Sequence, residues 1–94
     1  MQTVTHKVSG GKLLRIRARV EDEKVFGIQL SGDFFLAPHD KLSSIEEAIE
    51  GFNIHDSQAL IEVIEYVIDR DNIQIAGFSP SDLAHALSLF EVDK

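Results

Sequence analysis

The sequence predicts an α+β fold, a three-stranded antiparallel sheet followed by three helices packed on one of its faces. Three observations carry the prediction. Residues before Pro38 alternate apolar and polar side chains with the period of two that a half-buried strand requires. Beyond Pro38 the apolar spacing changes to the three-and-four rhythm of helices. The strand-like segments all come first and the helix-like ones afterwards, an order that disfavours alternating βαβ units.

The elements follow in order. Thr3 to Val8 carries β-branched residues with weak alternation and reads as a strand entered before a Gly10-Gly11 turn. Over residues 12–20, Leu14, Ile16, Ala18 and Val20 fall on one face and Leu13, Arg15, Arg17 and Arg19 on the other. The acidic turn Glu21-Asp22-Glu23-Lys24 then leads into an antiparallel partner in which Phe26, Ile28 and Leu30 point to one side. Ser43 and Ser44 stand three residues before Glu46 and Glu47, the spacing of a capping box. Leu42, Ile45, Ala48, Ile49 and Phe52 give the first helix its apolar face, and Gly51 ends it. Asp56 caps a second helix running to about Arg70. Only Gln58, Glu62, Glu65 and Asp69 make a polar stripe on it, so it is expected to be the central helix, covered on most sides. The third helix has the clearest start in the chain, with Ser79 as N-cap, Pro80 at the first helical position, Asp82 at the third and Phe78 placed to staple onto Leu83. Leu83, Ala86, Leu87 and Phe90 form its inward stripe, and residues 91–94 read as a frayed tail.

Composition narrows the function classes. Ninety-four residues with no linker or repeat fit a single domain, residues 1–94, which buries roughly 60 to 65 per cent of its unfolded surface. There is no cysteine, which excludes disulfides, thiolate metal sites, persulfide carriers and cysteine nucleophiles. A net charge of −7 opposes attraction to phosphate backbones, so no nucleic acid is expected as a partner. No membrane span and no basic-then-apolar leader is visible, and a cytoplasmic protein is expected.

No self-contained catalytic machinery emerges from the motifs. His6, His39, His55 and His85 have no ligand spacing, and no Gly-x-Ser-x-Gly occurs. Gly10-Gly11-Lys12 lacks the phosphate-loop pattern and precedes a strand, so it reads as a turn with an adjacent Lys12 at the domain edge. The row Arg15, Arg17, Arg19 has two readings: a solvated face paired with Glu21 or Glu23, or a dock for an acidic surface or a phosphate. In Gly32-Asp33-Phe34-Phe35, Gly32 allows a positive φ at the strand exit and Asp33 bonds nearby amides as a turn residue. The Phe pair has two readings: a structural one, in which a Phe anchors the core, and a functional one, in which the second Phe, forced outward if the backbone stays extended, is an exposed aromatic suited to a contact with another protein.

Three runs taken together, Ser9-Gly10-Gly11-Lys12-Leu13-Leu14-Arg15-Ile16, Ile28-Gln29-Leu30-Ser31-Gly32-Asp33-Phe34-Phe35 and Gly77-Phe78-Ser79-Pro80-Ser81-Asp82-Leu83, resemble the small accessory domain of lipoate-protein ligases. In their order they cover nearly the whole chain. The resemblance implies a fold related to iron-sulfur assembly scaffolds and sulfur-acceptor proteins, whose own thiolate chemistry this cysteine-free chain lacks. It also implies a noncatalytic subunit of a heterodimer. ATP, Mg and lipoate would be bound in the complex with the large catalytic subunit, none by this chain alone. The complex would form lipoyl-adenylate and pass the lipoyl group to a lysine of a lipoyl-carrier domain, a step of lipoate salvage. A chain of this length opening on Met1 is similar to the arrangement in which the small domain is a separate polypeptide. The residues expected to contact the partner are Lys12, Arg15, Arg17, Arg19, Phe34 and Phe35, with Gly10, Gly11, Gly32, Asp33, Ser79 and Pro80 as structural motif residues. The alternative is a stand-alone interaction or regulatory module without catalytic activity.

Overall fold

The computed structural model of the protein describes residues 1–8, 10 and 12–92. Gly11, part of the first motif, therefore lies outside the described residues, as do Ser9 and the last two residues of the expected tail. Strands β1 (Gln2–Lys7), β2 (Leu13–Glu21) and β3 (Lys24–Gly32) form an antiparallel sheet in that order. Helices α1 (Leu42–Ile49), α2 (Ser57–Arg70) and α3 (Pro80–Leu87) follow, so the fold is α+β as the sequence predicts. Helix α1 packs on β3, α3 on β1 and β2, and α2 against α1 and α3. Leu14, Ile16 and Ala18 of the middle strand and Ile45, Leu60, Ile64 and Leu83 of the helices are fully buried between the layers.

One further pairing was not expected. Strand β4 (Phe35–Ala37) and strand β5 (Gln74–Ala76) form a second, two-stranded antiparallel sheet, Phe35 opposite Ala76 and Ala37 opposite Gln74. Three residues are too few to show a period, and the partners stand almost forty positions apart, so no local signal announces them. Asn72, in the left-handed conformation at φ 54°, ends α2 and turns the chain into β5, with Ile73 N–H donating to the Ile68 carbonyl at 2.9 Å.

Three expectations are corrected. Phe26 does not share a face with Ile28 and Leu30. The register of β2 and β3 slips between Arg17 and Arg19, where Gly27 takes φ 64°. The extra residue of this bulge shifts the phase, so Val25, Ile28 and Leu30 are buried and Phe26 lies half-buried opposite Arg19. The capping box at Ser43 and Ser44 does not form. A 3-10 turn at His39–Lys41 runs straight into α1, and the Ser43 hydroxyl donates back to the Asp40 carbonyl at 3.0 Å. Helix α2 is not covered on most sides. Only Leu60, Ile64 and Val67 are buried, Ile61, Val63 and Ile68 are half-buried, and Tyr66 is 62% exposed. Tyr66 lies 5.6 Å beneath the Arg70 guanidinium. Arg70 also donates two hydrogen bonds at 3.0 Å to Asp71, whose carboxyl is thereby held below its ordinary pKa.

The other caps are as expected. The Asp56 side chain accepts from the Ala59 N–H at 3.2 Å. At α3 the Ser79 hydroxyl accepts from the Asp82 N–H at 3.2 Å while the Asp82 carboxylate accepts from the Ser79 N–H at 2.8 Å, a complete capping box.

Candidate functional site

The three sequence motifs, separated by up to sixty residues, meet at one end of the molecule. Gly32 sits so close to β2 that a Cβ on it would lie 2.1 Å from the Leu13 carbonyl oxygen, and its φ of 142° is itself one that side-chain-bearing residues avoid. The next residue completes the contact, with Asp33 N–H donating to that same carbonyl at 2.9 Å. The bond seen at Asp33 is thus made by its backbone, where the sequence suggested its carboxylate. Lys12 closes the turn before β2, its carbonyl accepting from Val8 N–H at 2.7 Å. Gly10, at φ 99°, supplies the positive dihedral of that turn.

The third motif closes over the second. A Cβ on Gly77 would come within 2.8 Å of the Phe34 Cβ, so Gly77 is what allows β5 to approach the chain at Phe34. The Phe34 ring stands edge-on to the buried Phe78 ring at 4.9 Å, and Phe78 precedes the Ser79-Pro80 cap of α3. Phe34 is therefore the inward Phe of the pair. Phe35 is 55% exposed, with the His39 ring 6.2 Å away edge-on. Lys12 and Leu13 are exposed at the same end. Leu13 adds apolar surface that the reading of candidate contacts omitted, although its outward place in the alternation was visible.

The three arginines do not act alike. All are exposed on the face of the sheet opposite the helices. Arg19 lies at the far end, where it pairs with Glu21 at 3.2 Å and covers the Phe26 ring at 5.4 Å. It fits the reading of a solvated, paired side chain. Among the described residues neither Arg15 nor Arg17 forms an ion pair, and Glu23 approaches His55 instead, at 3.9 Å. Arg15 and Arg17 stand opposite Thr5 and Thr3 of β1, short side chains that leave the guanidinium groups uncrowded. Residues 1–20 hold five cations, Lys7, Lys12, Arg15, Arg17 and Arg19, and no carboxylate, in a chain of net charge −7.

Among the described residues no three His, Asp or Glu side chains are grouped to hold a metal ion, and no helix is long and apolar enough to cross a membrane. A shallow groove of about 220 Å³ between α1 and α2, lined by Ser44, Glu47, Ala48, Val67 and Arg70, lies apart from the motif residues. The arrangement presents an exposed aromatic, Phe35, next to a segment held close by glycine contacts, with Lys12 exposed at the start of the neighbouring strand.

No protein-family model matches the chain, and no curated protein does. Among solved structures, the chain is similar to one from work on an archaeal lipoylation system, a bi-partite lipoate protein ligase and its E2 lipoyl domain from Thermoplasma acidophilum. The likeness has a TM-score of 0.76 at 23% sequence identity and covers 96% of this chain and 97% of that one. At that identity the two chains share a fold from end to end, and the fold is that of a component of a lipoylation system.

Proposed function

We propose that this chain is the noncatalytic accessory subunit of a two-chain lipoate-protein ligase. With a large catalytic subunit it supports ATP-dependent activation of lipoate to lipoyl-adenylate, before the lipoyl group passes to a carrier-protein lysine. The observation that carries the reading is the reciprocal, nearly complete likeness to a chain of the Thermoplasma system. The meeting of the Lys12-Leu13, Gly32 to Phe35 and Gly77-Phe78 segments at one end supports it, because these are the runs that resemble the accessory domain.

In this reading ATP, Mg and lipoate are held by the catalytic subunit. The present chain docks through Phe35, Lys12, Arg15 and Arg17, with Phe34 supporting Phe35 from below and Arg19 at the margin. Docking orders the partner's loops over the nucleotide and the fatty acid. Closure excludes water and aligns the lipoate carboxylate with the α-phosphate, which accelerates adenylation without a donated catalytic group.

The test is lipoate-dependent pyrophosphate release by a purified catalytic subunit with and without this chain. Release that depends on both is the expected result. Equal activity of the catalytic subunit alone would sink the reading and favour a stand-alone interaction module. Mass spectrometry of this chain after the reaction covers the remaining role in such a system: a lipoyl adduct on one of its own lysines would make it the acceptor.

A further inference from the structure

The two edges of the three-stranded sheet are treated differently. The β3 edge is closed. Glu46 and Glu50, one turn apart on and just after α1, accept hydrogen bonds from the Leu30 N–H at 2.8 Å and the Gly27 N–H at 3.0 Å. The segment after α1 then pairs with the start of β3, Gly51 N–H donating to Val25 at 2.7 Å and Ile54 N–H to Glu23 at 2.9 Å. Among the described residues nothing comparable covers β1. Its backbone bonds run to β2, leaving every second residue with its N–H and C=O aimed away from the sheet. The segment after α3 reaches only the first residue of the strand, through the Gln2 side-chain amide, which donates to the Glu91 carbonyl at 2.8 Å and accepts from its N–H at 2.9 Å.

Burial records the same asymmetry. Inward residues of the β3 edge, Val25, Ile28 and Leu30, are buried, whereas Gln2, Val4 and His6, on the same face of β1, are only half-buried, with no element beyond them among the described residues. The outer face at this edge carries Lys7 and, one strand in at about 4.8 Å, Arg15 and Arg17, with Thr5 and Thr3 too short to screen them. A second copy of this chain is a poor occupant, since antiparallel pairing of two β1 strands would bring two such cationic surfaces together.

From this we infer that the β1 edge receives an extended, acidic segment of the partner subunit, which adds to the sheet as a fourth strand. Main-chain hydrogen bonds supply the attachment, the guanidinium groups of Arg15 and Arg17 select carboxylates, and Val4 loses its remaining exposure. The identity of the partner rests on the accessory-subunit reading above.

Residue-resolved amide exchange on this chain, free and with the catalytic subunit of a two-chain lipoate ligase, is the test. Alternate amides of residues 2–7 should slow by about tenfold or more in the complex while those of β3 stay unchanged. Thr3→Asp with Thr5→Asp, on the exposed face, should raise the catalytic-subunit concentration needed for half-maximal pyrophosphate release by roughly tenfold. Thr3→Lys with Thr5→Lys should not raise it. A complex that forms and stimulates adenylation with β1 amides unprotected overturns the fourth strand and leaves the accessory reading intact. Protection with no penalty from the Asp pair overturns the acidic character of the segment. Absence of both complex and stimulation overturns the accessory reading, and the fourth strand with it.

Discussion

Two glycines and two phenylalanines set the geometry of the candidate site, and each has a separable consequence. Gly32→Ala places a methyl group 2.1 Å from the Leu13 carbonyl on a backbone at φ 142°, so β2 and the Gly32 to Phe35 segment must part. The expected loss is about 2 to 4 kcal/mol in urea denaturation. Gly77→Ala meets Phe34 at 2.8 Å and is expected to fall in the same range, since it too combines a close contact with a φ of 122°. The phenylalanines divide stability from function. Phe34→Ala removes the ring that stands against Phe78 and should cost about 2 to 3 kcal/mol. Phe35→Ala, at a side chain 55% exposed, should change stability by no more than about 0.5 kcal/mol while weakening stimulation of the catalytic subunit by tenfold or more. If both variants lost stability equally and Phe35→Ala stimulated normally, Phe35 would be no part of the docking surface.

At the scale of elements, what the sequence discloses depends on how local the determining contacts are. The β2 strand and the α3 cap were legible because alternation and capping are settled within a few residues. Phe26 was misplaced because a one-residue bulge at Gly27 reverses the phase of everything before it on the strand. The β4 and β5 pair and the contact of Gly77 with Phe34 were hidden because their partners are distant in sequence. The site itself was legible as three motifs, but not as one place. The β2–β3 hairpin carries a testable strain: both turn residues, Asp22 at φ 51° and Glu23 at φ 65°, lie in the left-handed region demanded by a tight turn of this hand. Asp tolerates this better than Glu. Glu23→Gly should therefore stabilise the protein by about 0.5 to 1 kcal/mol in thermal or urea unfolding, because among the described residues the Glu23 carboxylate has only an exposed approach to the His55 ring, at 3.9 Å, to lose. A destabilised variant would mean that the Glu23 side chain contributes more than its exposed position suggests.

Across the whole molecule the charge is segregated, and the segregation has a kinetic consequence. Residues 1–20 contribute five cations and no carboxylate, whereas residues 42–92 contain ten carboxylates, Glu46, Glu47, Glu50, Asp56, Glu62, Glu65, Asp69, Asp71, Asp82 and Glu91, against the single cation Arg70. Four of the first set, Lys7, Arg15, Arg17 and Arg19, lie on the exposed outer face of the sheet, and the second set lies on the helices and the segments that flank them, so the molecule is a dipole despite its net charge of −7. Such a dipole turns an approaching acidic surface toward the sheet and away from the helices. Association with the catalytic subunit should then be fast at low ionic strength and slow as salt rises, with dissociation much less affected, because steering acts over distances that ions screen while close contacts do not. Stopped-flow measurement over a range of about 0.02 to 0.5 M salt should show the association rate falling by tenfold or more. Arg15→Glu with Arg17→Glu should flatten or reverse that dependence, since it exchanges two cations without an ion pair among the described residues for two carboxylates at the face proposed to dock. Arg19→Glu should do so less, because Arg19 is already partly neutralised by Glu21. An association rate indifferent to salt in the unmodified protein would place the docking surface somewhere other than the cationic sheet.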